Sequence, residues 1–185
     1  MAFWSAPRNT EARRNFKFLV DVNDIPVWIV KKVNLPTIEV GQAEHKFLNH
    51  TFYFPGSVKF NEVSFTIVDS IDNKTSTNLI QRFVQSGYNT PDTETAASEA
   101  LLTKEASVAA LGSMQIRHLG SEENGQDRPV TYRLMNPWIK KIEFPQGLDY
   151  TNDELSETTI TVQYDFFHFL GGQSGDNAVA GFGGS

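Results

Sequence analysis

The chain has 185 residues, 22 acidic against 16 basic for a formal net charge of −6, and no cysteine. A single domain of that size buries roughly 70% of the surface its unfolded chain exposes, so it needs no staple, and without thiols it has neither disulfides nor thiolate metal sites. The acidic balance speaks against binding a nucleic-acid backbone, which depends on Lys and Arg releasing counterions, and no apolar run approaches the roughly 20 residues of a membrane span.

The Met1 end lacks the basic-then-apolar order of a signal peptide, which predicts a soluble protein assembled in a cytoplasm. Residues 1–15 are polar and aperiodic, with Arg8, Arg13 and Arg14, and predict an N-terminal arm. Phe16, Phe18, Val20 and Val22 then alternate with Lys17 and Asp21, and Asn23-Asp24 supplies a turn before residues 25–33. That order predicts a β-hairpin. After Leu35-Pro36, residues 38–60 are rich in His, Asn and aromatics, with Phe52-Tyr53-Phe54-Pro55-Gly56 near the end. Two extended arms of about ten residues reach roughly 30 Å, so this segment is expected to form a long hairpin leaving the domain body. In residues 62–68, Val63, Phe65 and Ile67 alternate with polar neighbours as in a core strand.

Asp72-Asn73-Lys74-Thr75 offers capping chemistry ahead of Leu79, Ile80, Phe83 and Val84 at helical spacing, closed by Gly87. The spacing predicts a short amphipathic helix with those four residues on a sheet and Gln81, Arg82 and Gln85 outward. Residues 91–111 are rich in Ala and Glu and predict a second helix of uncertain length. Residues 114–119 and 130–134 read as two antiparallel strands around a polar loop. From Gly171 onward the composition shifts to Gly, Ser, Asn and Ala, too poor in apolar residues to build a core. The chain thus divides into an arm (1–15), a β domain (16–170) and a tail (171–185), with about seven strands, one or two helices and no internal repeat.

The last third, residues 134–169, carries the sharpest pattern. Thr158, Ile160, Val162, Tyr164 and Phe166 fall on one face of an extended chain, and Glu157, Thr159, Thr161, Gln163 and Asp165 on the other. The first face is built for burial. The second bears no basic or large apolar residue, so it should meet water or a polyanion rather than a second core.

Chemical motifs are weak throughout. His45, His50, His118 and His168 lack metal-ligand spacing, and Asp69-Ser70-Ile71-Asp72-Asn73 lacks the later Gly and Glu of a calcium loop. Gly172-Gln173-Ser174-Gly175-Asp176 has Asp where a nucleophile elbow needs Gly. Glu143, Asp149, Asp153, Glu154 and Glu157 suit a solvated turn better than a catalytic carboxylate pair, having no pocket to separate their pKa values. Phe52-Tyr53-Phe54 lies outside any basic groove, so packing or a subunit interface is favoured over base stacking. The expectation is a non-enzymatic protein without metal or cofactor.

Three segments together resemble the tail tube proteins of T4-like contractile phages, relatives of the Hcp protein of type VI secretion. They are FKFLVDVNDIPVWIVKKVNLP, FNEVSFTIVDSIDNKTSTNLIQRFVQ and LMNPWIKKIEFPQGLDYTNDELSETTITVQYDFF. The last is the most specific, with the Asn136-Pro137-Trp138 turn, Gly147-Leu148-Asp149-Tyr150 and the closing Tyr164-Asp165. The match spans residues 16–169; the arm, residues 91–111 and the Gly-rich tail fit poorly. The resemblance implies a mainly β fold, an antiparallel sandwich or barrel with one or two packed helices and a long hairpin. It implies hexameric rings of this chain stacked into a tube inside a contractile sheath, in a virion, with baseplate, tail-terminator and tape-measure proteins as partners and genomic DNA passing without specific binding. Ring closure would also remove exposed sheet edges. On this reading Glu62, Ser64, Thr66, Glu157, Thr159, Thr161, Gln163 and Asp165 line the lumen, and Phe47, Phe52, Tyr53 and Phe54 stack ring on ring. A baseplate tube initiator or a secreted Hcp-like ring shares these features; a monomeric β-sandwich binding module would not assemble.

Overall fold

Alternating apolar and polar residues over most of the chain dictate sheets with one buried face. The computed structural model describes residues 14–23, 25, 27–70, 75–88, 101–120, 129–145, 147, 150–151 and 153–171. The arm before residue 14, the Asp72–Lys74 cap, the first part of the 91–111 stretch, the polar loop at 121–128 and the tail from residue 172 lie outside the described residues.

Two four-stranded antiparallel sheets face each other. One has the order β1 (Phe18–Val22), β6 (Met114–His118), β7 (Val130–Met135), β10 (Phe166–Gly171), and the other β2 (Val30–Val33), β5 (Val63–Val68), β9 (Glu157–Gln163), β8 (Trp138–Glu143). Val20, Val22, Met114, Ile116 and Leu134 from the first meet Val63, Phe65, Ile67, Ile160 and Val162 from the second in one core. Burying each of these side chains contributes roughly 1.5–3 kcal/mol. A third, two-stranded sheet consists of β3 (Ile38–Phe47) and β4 (His50–Phe60) alone.

The first predicted hairpin is corrected by this arrangement. β1 pairs with β6 and β2 with β5, and the chain between them makes only the isolated Val22–Ile25 bridge among the described residues, short of β2 itself. Pro26 has no N–H to give a ladder, and the following 3-10 turn at Val27–Ile29 carries the chain across to the second sheet. The pair at 114–118 and 130–135 forms as expected.

The last third contains a bend that periodicity did not disclose. β7 and β10 pair in the first sheet, β8 and β9 in the second, and Met135–Phe166 and Trp138–Gln163 continue one register through the corner. Two long extended segments therefore run side by side and turn together from one sheet into the other. Asn136 takes φ +51 at the corner, and the Asp165 N–H donates to the Met135 carbonyl at 3.0 Å. Beyond the bend the facing reverses. Phe166, expected on the buried face, is exposed, whereas Thr158, Ile160, Val162 and Tyr164 are buried.

Helix α1 (Thr75–Gln85) also faces differently from its apolar spacing. Leu79 is buried and Phe83 half-buried, but Ile80 and Val84 are exposed and Arg82 points inward. The Arg82 guanidinium donates to the carbonyls of Ala110 and Leu111 at 3.0 and 3.3 Å and to that of Asn23 at 2.7 Å. The first two belong to the C-terminus of α2 (Lys104–Leu111), where a cation is favoured. Thr103 caps the other end of α2, accepting from the Ala106 N–H at 3.2 Å.

Candidate functional site

The hairpin of β3 and β4 stands outside both large sheets and is exposed along nearly its whole length. Its register places Ala43 opposite Phe54, His45 opposite Phe52, and Phe47 opposite His50, so these six side chains share one face near the tip. Gln42, Glu44 and Lys46 with Thr51, Tyr53 and Pro55 form the other. The expected stacking residues are thus divided: Phe47, Phe52 and Phe54 lie together, and Tyr53 lies across from Glu44 on the polar side. Phe47 is 61% exposed, Phe52 46%, and Leu48 at the tip 88%. The Leu48-Asn49 turn is tight, with Leu48 at φ +54, and the His50 and Phe52 rings meet edge to face at 4.6 Å.

Midway, a bulge reverses the apolar side. Between Val40–Val58 and Gln42–Pro55 the register shifts, so Ile38, Val40, Val58 and Phe60 at the root lie on the face that is polar at the tip. Gly41 and Gly56 make this possible: a Cβ on Gly56 would come within 3.1 Å of the Gly41 carbonyl oxygen. Phe60 anchors the root, packing on Tyr164 and Phe167.

Of the eight expected lumen residues, six fall on one continuous sheet surface. Ser64 pairs with Thr161 and Thr66 with Thr159, whose hydroxyls lie 3.1 Å apart, while Glu157 and Gln163 lie on the same side of β9. Glu62 precedes β5 and accepts a bond from Lys140 at 2.5 Å. Asp165 departs from this face into the bend, held by Lys104 at 2.7 Å and Asn136 at 2.8 Å, and the Lys104 and Asn136 bonds hold its carboxyl below the ordinary range. Thr161, at 7% exposure, is more enclosed than its neighbours.

The strand itself carries no lysine, but the surrounding sheet does. Lys31 bonds to Glu157, which raises the lysine pKa, Lys32 pairs with Thr66, and Lys141 sits opposite Thr161 and bonds to Glu143 at 2.6 Å. Bulges at Val30/Lys32 and Ile139/Lys141 bring two adjacent lysines onto each flank. The surface is a field of Lys–Glu pairs around a hydroxyl centre, which single-strand periodicity could not reveal.

A second apolar feature was absent from the sequence reading. Between the edge strands β1 and β2, Phe16, Phe18, Leu19, Val27, Trp28, Val30 and Lys31 line a groove of about 750 Å³. Phe16 and Trp28 are each 74% exposed. Among the described residues no cluster of His, Asp and Glu forms a metal site, and no helix is long and apolar enough to cross a membrane.

No protein-family model matches the chain, and no curated protein matches it in sequence. Its three-dimensional structure is similar to a chain of the extended sheath-tube complex of PVC, an extracellular contractile injection system, at 15% identity, 88% of this chain, 93% of the other and TM-score 0.56. A chain of the PVC sheath/tube terminator aligns at 15% identity, 86% and 97% coverage and TM-score 0.55. One from the six-fold symmetrised baseplate of the anti-feeding prophage aligns at 14%, 88%, 97% and 0.52. At these identities the likeness establishes the fold, a tail-tube fold over most of each chain.

Proposed function

We propose that this chain is the structural subunit of a tail tube, assembling as hexameric rings that stack into a hollow conduit within a contractile sheath. The observation that carries the proposal is the hairpin: ten- and eleven-residue strands outside the sandwich, with Phe47, Phe52 and Phe54 aligned on one face. A monomer would gain nothing by holding three phenyl rings in water, whereas stacked rings would bury them. The fold supports this reading through its likeness to chains of contractile assemblies, one of them solved with six-fold symmetry.

In the proposed tube, Glu62, Ser64, Thr66, Glu157, Thr159, Thr161 and Gln163 face the lumen, with Asp165 at its margin. Three of the four lysines beside them, Lys31, Lys140 and Lys141, are matched by Glu157, Glu62 and Glu143, so DNA would slide past nearly balanced charge without a continuous basic track. Sheath, tape-measure, baseplate and tail-terminator proteins are the partners of this role, and the virion its location. A baseplate or terminal ring of the same fold is the second reading, favoured by the comparable likeness to terminator and baseplate chains.

Electron microscopy of the purified chain tests both. Long six-fold tubes are the expected result, discrete rings would favour the second reading, and a dispersed monomer would refute both. Deleting residues 44–51 should leave a folded subunit that no longer stacks; tubes of normal length would remove the hairpin from the interface.

A further inference from the structure

We infer that the groove between β1 and β2 receives the aromatic hairpin tip of a second copy of this chain. The inference rests on the stacked-ring reading and supplies the surface that reading leaves unassigned.

The groove is the open seam of the sandwich. β1 and β2 are edge strands of opposite sheets, and such an edge invites another chain unless it is covered. At about 750 Å³ it is an open trough rather than an enclosed pocket, with room along it for several side chains of another copy. Its wall of Phe18, Val27 and Val30, with Trp28 and Phe16 standing free, suits aromatic side chains. On the hairpin, Phe52 and Phe54 follow each other on one face with Phe47 across the turn, a row that fits such a trough.

Chain order makes the contact head to tail. The groove forms around the start of β2, and the hairpin leaves four residues after the end of that strand, at Ile38. Donor and acceptor are different surfaces of each copy, so the contact is heterologous, and between stacked rings it would repeat from one ring to the next along the tube. Charge also favours the hairpin over residues 1–13, the other apolar candidate through Phe3 and Trp4. The one charged residue that lines the groove is the cation Lys31, while the arm brings Arg8 and Arg13 against a single Glu11. The hairpin tip carries Glu44 and Lys46, which cancel, and its ring faces attract cations.

The absence of cysteine provides a clean test. The double variant Trp28→Cys/Phe52→Cys, assembled and treated with a short bifunctional maleimide, should give a ladder of multimers on a denaturing gel. Either single variant should give none beyond dimer. Trp28→Ala, at an exposed position, should raise the protein concentration needed for assembly by about 30-fold while leaving the subunit folded. Well-formed tubes that do not cross-link, or that assemble unchanged with Trp28→Ala, would overturn the inference and leave the tube function intact. Intramolecular linkage in a Trp4→Cys/Trp28→Cys variant would overturn it by giving the groove to the chain's own arm. An unmodified chain that forms neither rings nor tubes would overturn both.

Discussion

The Tyr164 hydroxyl is buried without a hydrogen-bond partner among the described residues, and burial pushes its pKa up to about 12. Its ordinary value is 10, so the unfolded chain ionises first; stability holds below pH 10 and declines as pH rises toward 12. Tyr164→Phe should remove that alkaline loss. At pH 7 it should be neutral or stabilising by about 1 kcal/mol, since it deletes an unpaired buried polar group. Urea unfolding of both proteins at pH 7 and pH 11 measures the two effects, and equal alkaline slopes would show that the hydroxyl is solvated. Asp165 acts at the opposite end. Its carboxyl is held low by Lys104 and Asn136, so it contributes stability above the ordinary carboxylate pKa that is lost as pH falls through the depressed one. The group is partly exposed, so Asp165→Asn should cost no more than about 1 kcal/mol at pH 7 and flatten the acid limb.

Among elements, α1 separates pattern from packing. Arg82→Leu keeps an apolar stem but strands the carbonyls of Asn23, Ala110 and Leu111, and should cost about 2–4 kcal/mol, whereas Gln81→Ala should stay within about 0.5. Equal effects in thermal or urea unfolding would return Arg82 to the surface. The core strands were legible because Val63, Phe65 and Ile67, like Ile160 and Val162, obey period two with no competing interaction. The face of α1 was not, because three distant carbonyls draw a cation inward against the apolar stripe. The partner of β1 was equally hidden: a strand's alternation fixes which side is buried but not which strand lies beside it. The hairpin's existence was readable in its aromatic content, yet its change of face at Gly41 and Gly56 depends on a bulge. Gly56→Val would drive a Cβ toward the Gly41 carbonyl and should misalign the tip. Subunit stability should shift by less than about 0.5 kcal/mol, with tubes lost in electron micrographs; tubes of normal length would dissociate the bulge from assembly.

At the scale of the whole molecule, the inner or outer position of the Thr159–Gln163 face decides how a tube would treat what passes through it. Thr161, at the centre of this face, is too enclosed to accept a charge harmlessly, whereas Gln163 is half-buried at the strand end opposite Trp138. Gln163→Lys therefore adds a cation without disturbing the core, and does so at the end of the face where the nearby carboxylate, Glu62, is already engaged by Lys140. The added charge would be uncompensated, and six copies per proposed ring, repeated along the tube, would turn a balanced surface into a basic track. Assembled variant tubes should then retain short duplex DNA at low salt and release it as screening rises, with a Debye length falling from about 30 Å at 0.01 M to about 8 Å at 0.15 M. Nuclease protection decides the location, because DNA inside a narrow conduit is shielded and DNA on the outer wall is cut. Retained but digestible DNA would put this face outside the channel and require another surface, such as the sheet of β1, β6, β7 and β10, to line it.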